Sequence, residues 1–147
     1  MEDLLEKMKV YLASNFAFYL KMHNFHWNVE GPHFSEYHEF FGDLYNDLWS
    51  AQDDIAEHIR ALGAYAPGSF ERYKDLSRIP DQIELPVEAA AMFNIAMADN
   101  YEMITIIYEA YKAAETAGEI GLSNFLQDRM VAHKKHGWML RATAKLG

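Results

Sequence analysis

The sequence predicts an all-α fold, an antiparallel four-helix bundle with one long crossover that carries a short extra helix. Three observations predict it. Apolar residues recur at steps of three and four along four long stretches. Gly31-Pro32, the segment from Ala64 to Pro86 and Thr116-Ala117-Gly118 interrupt them. No stretch alternates with the period of a strand.

In the first helix, Leu12, Phe16, Tyr19, His23 and His26 share one face, and the helix ends at Gly31-Pro32. The second runs from about Phe34 to Leu62. Its core stripe is Phe34, Tyr37, Phe41, Leu44, Leu48, Ala51, Ile55 and Leu62, with Gly63 as the stop. From Ala64 to Leu85 the pattern is lost among Pro67-Gly68 and Pro80, apart from a short helix around Phe70–Leu76. The third helix starts after Pro86 and runs to about Ala114. The fourth spans about Glu119 to Lys145, with Leu122, Phe125, Leu126, Met130, His133, Trp138 and Leu140 turned inward. Residues 1–147 are expected to form one domain around one core.

Composition narrows the chemistry. The absence of cysteine excludes disulfides, thiolate zinc sites and thiol catalysis, which leaves histidine and carboxylate as the strong metal ligands. Twenty-two acidic against 13 basic residues give a net charge of −9, which repels nucleic acid and favours cations. The start lacks the basic lead and apolar run of a signal peptide, and no stretch is apolar enough for a membrane span. The expectation is a soluble, cytoplasmic protein with no membrane partner.

Four residues carry the candidate chemistry: His26, His38, Asp53 and Glu57. Each histidine lies six residues from Pro32, so a hairpin of the flanking helices brings both imidazoles to one height. Asp53 and Glu57 are i and i+4 on one helix face. The plainer readings are a hydrogen-bonded core histidine at His26 and a surface ion pair of Glu57 with Arg60. Fifteen residues of helix separate His38 from Asp53 by about 22 Å, so the pairs cannot hold one ion within one chain.

A second stripe on the same helix points to a second copy. His38, Gly42, Asn46, Trp49, Asp53, Glu57 and Arg60 follow one another at steps of four and three. A mid-helix glycine costs about 1 kcal/mol against alanine, and neither it nor a tryptophan on the same stripe is explained if that face meets water, whereas a close helix contact explains both. Two such helices crossing antiparallel near Asn46 would set His38 of one copy level with Asp53 and Glu57 of the other. Trp49 would then face a notch at Gly42. An internal di-iron site needs Glu-x-x-His on two helices, and no helical segment carries that spacing; Asp99, Glu102, Asp128, His133 and His136 are arranged otherwise.

His26-Trp-Asn-Val-x-Gly-x-x-Phe34, then His38-Glu39, then Asp53-x-x-Ala56-Glu57, resembles the signature of the Dps family, the mini-ferritins of the ferritin-like superfamily. The closing His136-Gly-Trp-Met-Leu-Arg141 resembles that family's last helix. The resemblance implies a hollow homododecamer that oxidises iron at sites shared across twofold interfaces, stores ferric mineral and protects against iron and peroxide damage. It also implies that His26 and His38 come from one subunit and Asp53 and Glu57 from the other. Two imidazoles and two carboxylates suit Fe(II) and attract Zn(II) as a competitor. Hydrogen peroxide is the implied oxidant, with dioxygen as the other choice.

Two positions depart from the family pattern. Family members often have an aspartate one turn after the second histidine, where this chain has Gly42; Asp43 is about 100° around the helix. The inlet pores at the start of the family's last helix are usually rich in aspartate, whereas this chain has Glu115, Glu119 and Asp128 interspersed with Ile120, Gly121 and Asn124. The alternative function is a DNA-coating protein with little iron chemistry. With neither end expected to carry a basic tail, the charge of −9 opposes that reading. Trp27, Tyr45 and Trp49 stand near the expected site, as packing groups or as sinks for stray one-electron oxidation.

Overall fold

The computed structural model describes residues 1–86 and 88–145. Among them are five helices and no strand: α1 (Glu2–Asn28), α2 (Phe34–Ala61), α3 (Phe70–Leu76), α4 (Ala89–Thr116) and α5 (Ile120–Ala144). Glu2 and Asp3 place negative charge at the positive end of the α1 dipole. Val29 is extended and Gly31 takes φ +120°, a left-handed backbone that side chains disfavour, so the chain reverses within five residues into α2. The long crossover holds the short helix at the expected position, capped by Ser69, whose Oγ accepts from the Arg72 amide at 3.3 Å.

α1 packs against α2, α3 and α4, and α4 packs against α5. The core is Leu4, Met8, Tyr11, Leu12, Phe18, Met22 and Phe25 of α1 against Phe41, Leu44, Leu48, Ile55 and Ile59 of α2, with α4 and α5 closing the far side. The crossover is pinned at two places. The Arg78 amide donates to Ser14 Oγ at 3.0 Å, and the Arg78 guanidinium pairs with Glu102 and Glu109. Tyr73 of α3 packs on Phe16 at 4.9 Å and accepts a hydrogen bond from Gln52 at 3.2 Å.

Several inward positions differ from the sequence expectation. On α1, Phe16, Tyr19, His23 and His26 are only half-buried, because the helix turns Met8, Tyr11, Phe18, Met22 and Phe25 to the centre. Phe34 is 42% exposed at the start of α2. Trp138 faces outward and Gly137 is buried instead. α4 approaches so closely there that a Cβ on residue 137 would lie 3.1 Å from Asn100 Nδ2.

Several interior polar groups are paired with one another across helices. Lys21 meets Asp99 at 2.7 Å between α1 and α4. Asn100 Nδ2 donates to the His133 carbonyl at 2.9 Å, and His133 Nδ1 donates to Asn100 Oδ1 at 2.8 Å. Arg129 of α5 reaches α2 with two hydrogen bonds to Asp47, at 3.0 and 2.8 Å, and His136 Nε2 adds a third at 2.7 Å. Partial burial alone would raise the Asp47 carboxyl; hydrogen bonds from His136 and Arg129, and their charge, outweigh it and hold it well below the usual carboxylate range. Burial keeps His133 neutral well below the ordinary histidine value, with the Arg129 charge acting the same way.

A carboxyl depressed on folding contributes stability above its unfolded value and loses it as pH falls toward the folded one. Replacing Arg129 by methionine should therefore cost about 2 kcal/mol at neutral pH, less than for a fully buried pair because Asp47 keeps water contact. The deficit should shrink at about pH 3, where protonation of the unfolded chain has already eroded what the pair contributes. Urea unfolding of both proteins at the two pH values reads this directly, and a deficit independent of pH would contradict it.

Candidate metal centre

The two histidines meet across the Gly31 turn. His26 lies in the last turn of α1, where backbone carbonyls lack a helical partner, and His38 lies near the start of α2. Nδ1 of His38 donates to the His26 carbonyl at 2.6 Å, and Nδ1 of His26 donates to the His38 carbonyl at 2.6 Å. The rings stack 3.7 Å apart at 20°. With both Nδ1 atoms engaged as donors, each neutral ring keeps its lone pair on Nε2. This is the arrangement that orients an imidazole for a metal.

Gly42 belongs to this pair. A Cβ there would stand 3.1 Å from Nδ1 and 3.2 Å from Cε1 of His26. The residue is buried inside the chain, so the notch expected to receive Trp49 of a second copy is already filled by the chain's own His26. The missing side chain gives His26 access to the His38 carbonyl.

Asp53 and Glu57 also come together, joined by Asp54: one oxygen of each lies within 4.8 Å of the others, and all three are exposed. Asp54 was outside the expected set; the signal that could have found it is three acids within five residues. Among the described residues no histidine joins this cluster. The ion pair of Glu57 with Arg60 is not formed. Arg60 Nη1 donates to the Ala64 carbonyl at 2.8 Å, and its guanidinium sits 4.7 Å from the Tyr65 ring centre. Two half-sites thus stand apart, the imidazoles where α1 meets the start of α2 and the carboxylates further along α2, each lacking what the other holds.

Aromatic rings surround the histidines. Phe34 stacks on His38 at 5.0 Å, and Tyr45 lies 5.2 Å from His26. Trp27 and Trp49 are 59% and 57% exposed, a large apolar area beside polar ligands. Of the groups weighed for an internal di-iron site, Asp99 is taken by Lys21, Glu102 by Arg78, His136 by Asp47 and His133 by Asn100, and Asp128 is exposed. No empty carboxylate–histidine centre remains there among the described residues.

A four-helix bundle with a long, helix-bearing crossover and ligands divided between an imidazole pair and a carboxylate cluster defines a ferritin-like architecture. The ferritin-like domain model matches residues 5–146. DNA protection during starvation protein 2 of Bacillus anthracis is 30% identical over 96% of this chain and 96% of its own length. The crystal structure of antigen TpF1 from Treponema pallidum superposes with a TM-score of 0.93 at 29% identity, covering 97% of this chain and 92% of that one. A Dps protein from Vibrio cholerae, described as a member of the ferritin-like diiron-carboxylate superfamily, gives 0.93 at 26% identity, covering 98% and 90%. The chain belongs to the ferritin-like family and, within it, to the Dps proteins.

Long-range proton–nitrogen spectra of the histidine rings test the geometry. His26 and His38 should both report protons on Nδ1. Gly42→Ala should disturb both rings, because its methyl carbon intrudes on the Nδ1 that bonds the His38 carbonyl. An Nε2-protonated neutral form at either residue would refute the arrangement.

Proposed function

We propose that this chain is a ferroxidase and iron store: copies assemble into a hollow dodecamer, oxidise Fe(II) at sites shared by two chains and hold the ferric product inside. Membership of the ferritin-like diiron-carboxylate group supports iron storage and protection in general. The observation that carries the finer reading is the reciprocal hydrogen bonding of His26 and His38, which readies two Nε2 atoms at a place where no carboxylate joins them among the described residues of their own chain.

In this reading His26 and His38 of one copy bind Fe(II) with Asp53 and Glu57 of another, Asp54 lying beside them. The imidazoles suit the ferrous substrate and the carboxylates favour the harder ferric product, so the site lowers the cost of losing an electron. Each Fe(II) gives one electron, and cleavage of the peroxide O–O bond consumes two. The exposed Trp27, Trp49 and Phe34 supply apolar area that a second copy would cover. The net charge of −9 on each copy draws cations and opposes DNA, which favours the iron reading over DNA coating.

Anaerobic addition of Fe(II), then peroxide, then size exclusion with iron detection should give iron eluting with a dodecamer-sized species. Iron-free monomer or dimer would defeat the proposal. Sharing between chains has its own test. A His26→Ala/His38→Ala protein and an Asp53→Asn/Glu57→Gln protein should each lack peroxide-driven oxidation. Co-refolded in equal amounts they should recover about a quarter of the wild-type sites, since half of the random dimers are mixed and each mixed dimer has one intact site of two. No recovery in assembled mixed particles would mean that the two half-sites do not combine.

A further inference from the structure

A groove of about 400 Å³ between α4 and α5 takes no part in the candidate metal centre. Met97, Tyr101 and Ile104 line it from α4, and Lys134, Gly137 and Arg141 from α5. Tyr101 is 75% exposed. A Cβ at residue 137 would lie 3.3 Å from Arg141 Nη1, so the bare backbone of Gly137 lets the guanidinium lie back along the groove. Lys134 and Arg141 are both exposed, and among the described residues neither is in an ion pair. The α4 carboxylates next to these positions are engaged elsewhere, Asp99 with Lys21 and Glu102 with Arg78. In a chain of net charge −9, two unpaired cations beside apolar surface fit a partner that brings carboxylates and an apolar side chain.

The same chain presents such a segment. Asp81-Gln82-Ile83-Glu84-Leu85 ends the crossover between Pro80 and Pro86. Its base is anchored by Ile79, which is buried; the Ile79 amide donates to Ser77 Oγ at 3.0 Å, and the Ile79 carbonyl accepts from it at 2.9 Å. Beyond the anchor Ile83 is 89% exposed. Asp81 and Glu84 on either side of it are exposed and in no ion pair among the described residues. Gln82 orders the segment, its amide donating to Asp81 Oδ1 at 3.0 Å and its Nε2 to the Glu84 carbonyl at 2.6 Å. A segment held in shape beforehand loses less freedom on docking. The spacings also match. Lys134 and Arg141 are seven helical residues apart, about 10.5 Å along α5. Asp81 and Glu84 are three residues apart, at most about 11 Å.

We propose that Ile83 of one copy seats in this groove on a second copy, with its Asp81 and Glu84 meeting Lys134 and Arg141 there; this deepens the cage reading above and rests on it. Pairing through α2 brings like patches together and stops at two chains. A shell of twelve needs another contact, between unlike patches, that closes into a ring. The segment and the groove are such patches, because each chain offers one and receives the other. Ile83 and Tyr101 supply the covered apolar area, and the charges at the rim decide which surfaces meet. Salt weakens the contact by screening those charges.

Sedimentation velocity at moderate salt tests the contact, with circular dichroism to confirm that each variant is folded. The wild type should run as a dodecamer. Asp81→Lys/Glu84→Lys should stop at the dimer with its helix content intact. That change makes the chain less negative, so general repulsion does not account for the loss. Lys134→Glu/Arg141→Glu should stop at the dimer as well. The four substitutions together restore opposite charges across the contact and should return the dodecamer. Ile83→Ser should raise the concentration needed for assembly by about tenfold or more. A dodecamer that persists in Asp81→Lys/Glu84→Lys overturns the proposal and leaves the groove to a small anion or another segment. A folded four-substitution protein that stays at the dimer overturns it too. Both results leave the cage reading standing, whereas a wild type that never exceeds the dimer overturns that reading as well.

Discussion

Two hydrogen bonds of 2.6 Å, one from each imidazole to the other's backbone carbonyl, tie the end of α1 to the start of α2. Much of the molecule's chemistry follows from them. The His26 carbonyl has no helical partner, and the His38 ring provides one. The bond in the other direction needs a helix surface bare enough for His26 to reach a carbonyl within α2, and Gly42 supplies that surface. Together the bonds decide which nitrogen of each ring carries a proton and which keeps a lone pair. The same contact that closes the hairpin therefore also readies a ligand pair.

A second constraint is helix rise. Nothing along α2 can shorten the distance of about 22 Å between His38 and Asp53. Nor does the bundle interior offer a substitute. The Asp47–Arg129–His136 cluster, the Lys21–Asp99 pair and the Asn100–His133 lock fill the space between helices with groups that satisfy one another. In di-iron four-helix bundles with Glu-x-x-His ligands that space holds the metal centre. Here it holds stability, and the candidate ligands lie outside it, on the faces of α1 and α2 that a second chain would cover.

Much of this was legible in the sequence, for specific reasons. Helix ends could be read because Gly31-Pro32, Gly63 and Gly118 interrupt a periodicity that is otherwise continuous. The meeting of His26 and His38 could be read because equal spacing about Pro32 fixes their height whatever the side chains do. Other features depend on approach in three dimensions. Gly42 looks like a notch for a partner until His26 is seen to fill it. Trp138 and Gly137 exchange inside and outside because α4 comes close to Asn100. Arg129 finds Asp47 across 82 residues, a pairing that no local pattern announces. Asp54 joins Asp53 and Glu57 through side-chain reach, which helical phase alone understates.

In the proposed function one chain offers the imidazoles and another the carboxylates for the same iron. Crystals grown with Fe(II) under anaerobic conditions, with data collected at the iron edge, test it most directly. Anomalous peaks are expected within bonding distance of Nε2 of His26 and Nε2 of His38 of one protomer and of Asp53 and Glu57 of a neighbouring one. Iron bound to Asp53, Asp54 and Glu57 with no histidine in contact would contradict it, as would iron at the histidines with carboxylates only from the same chain.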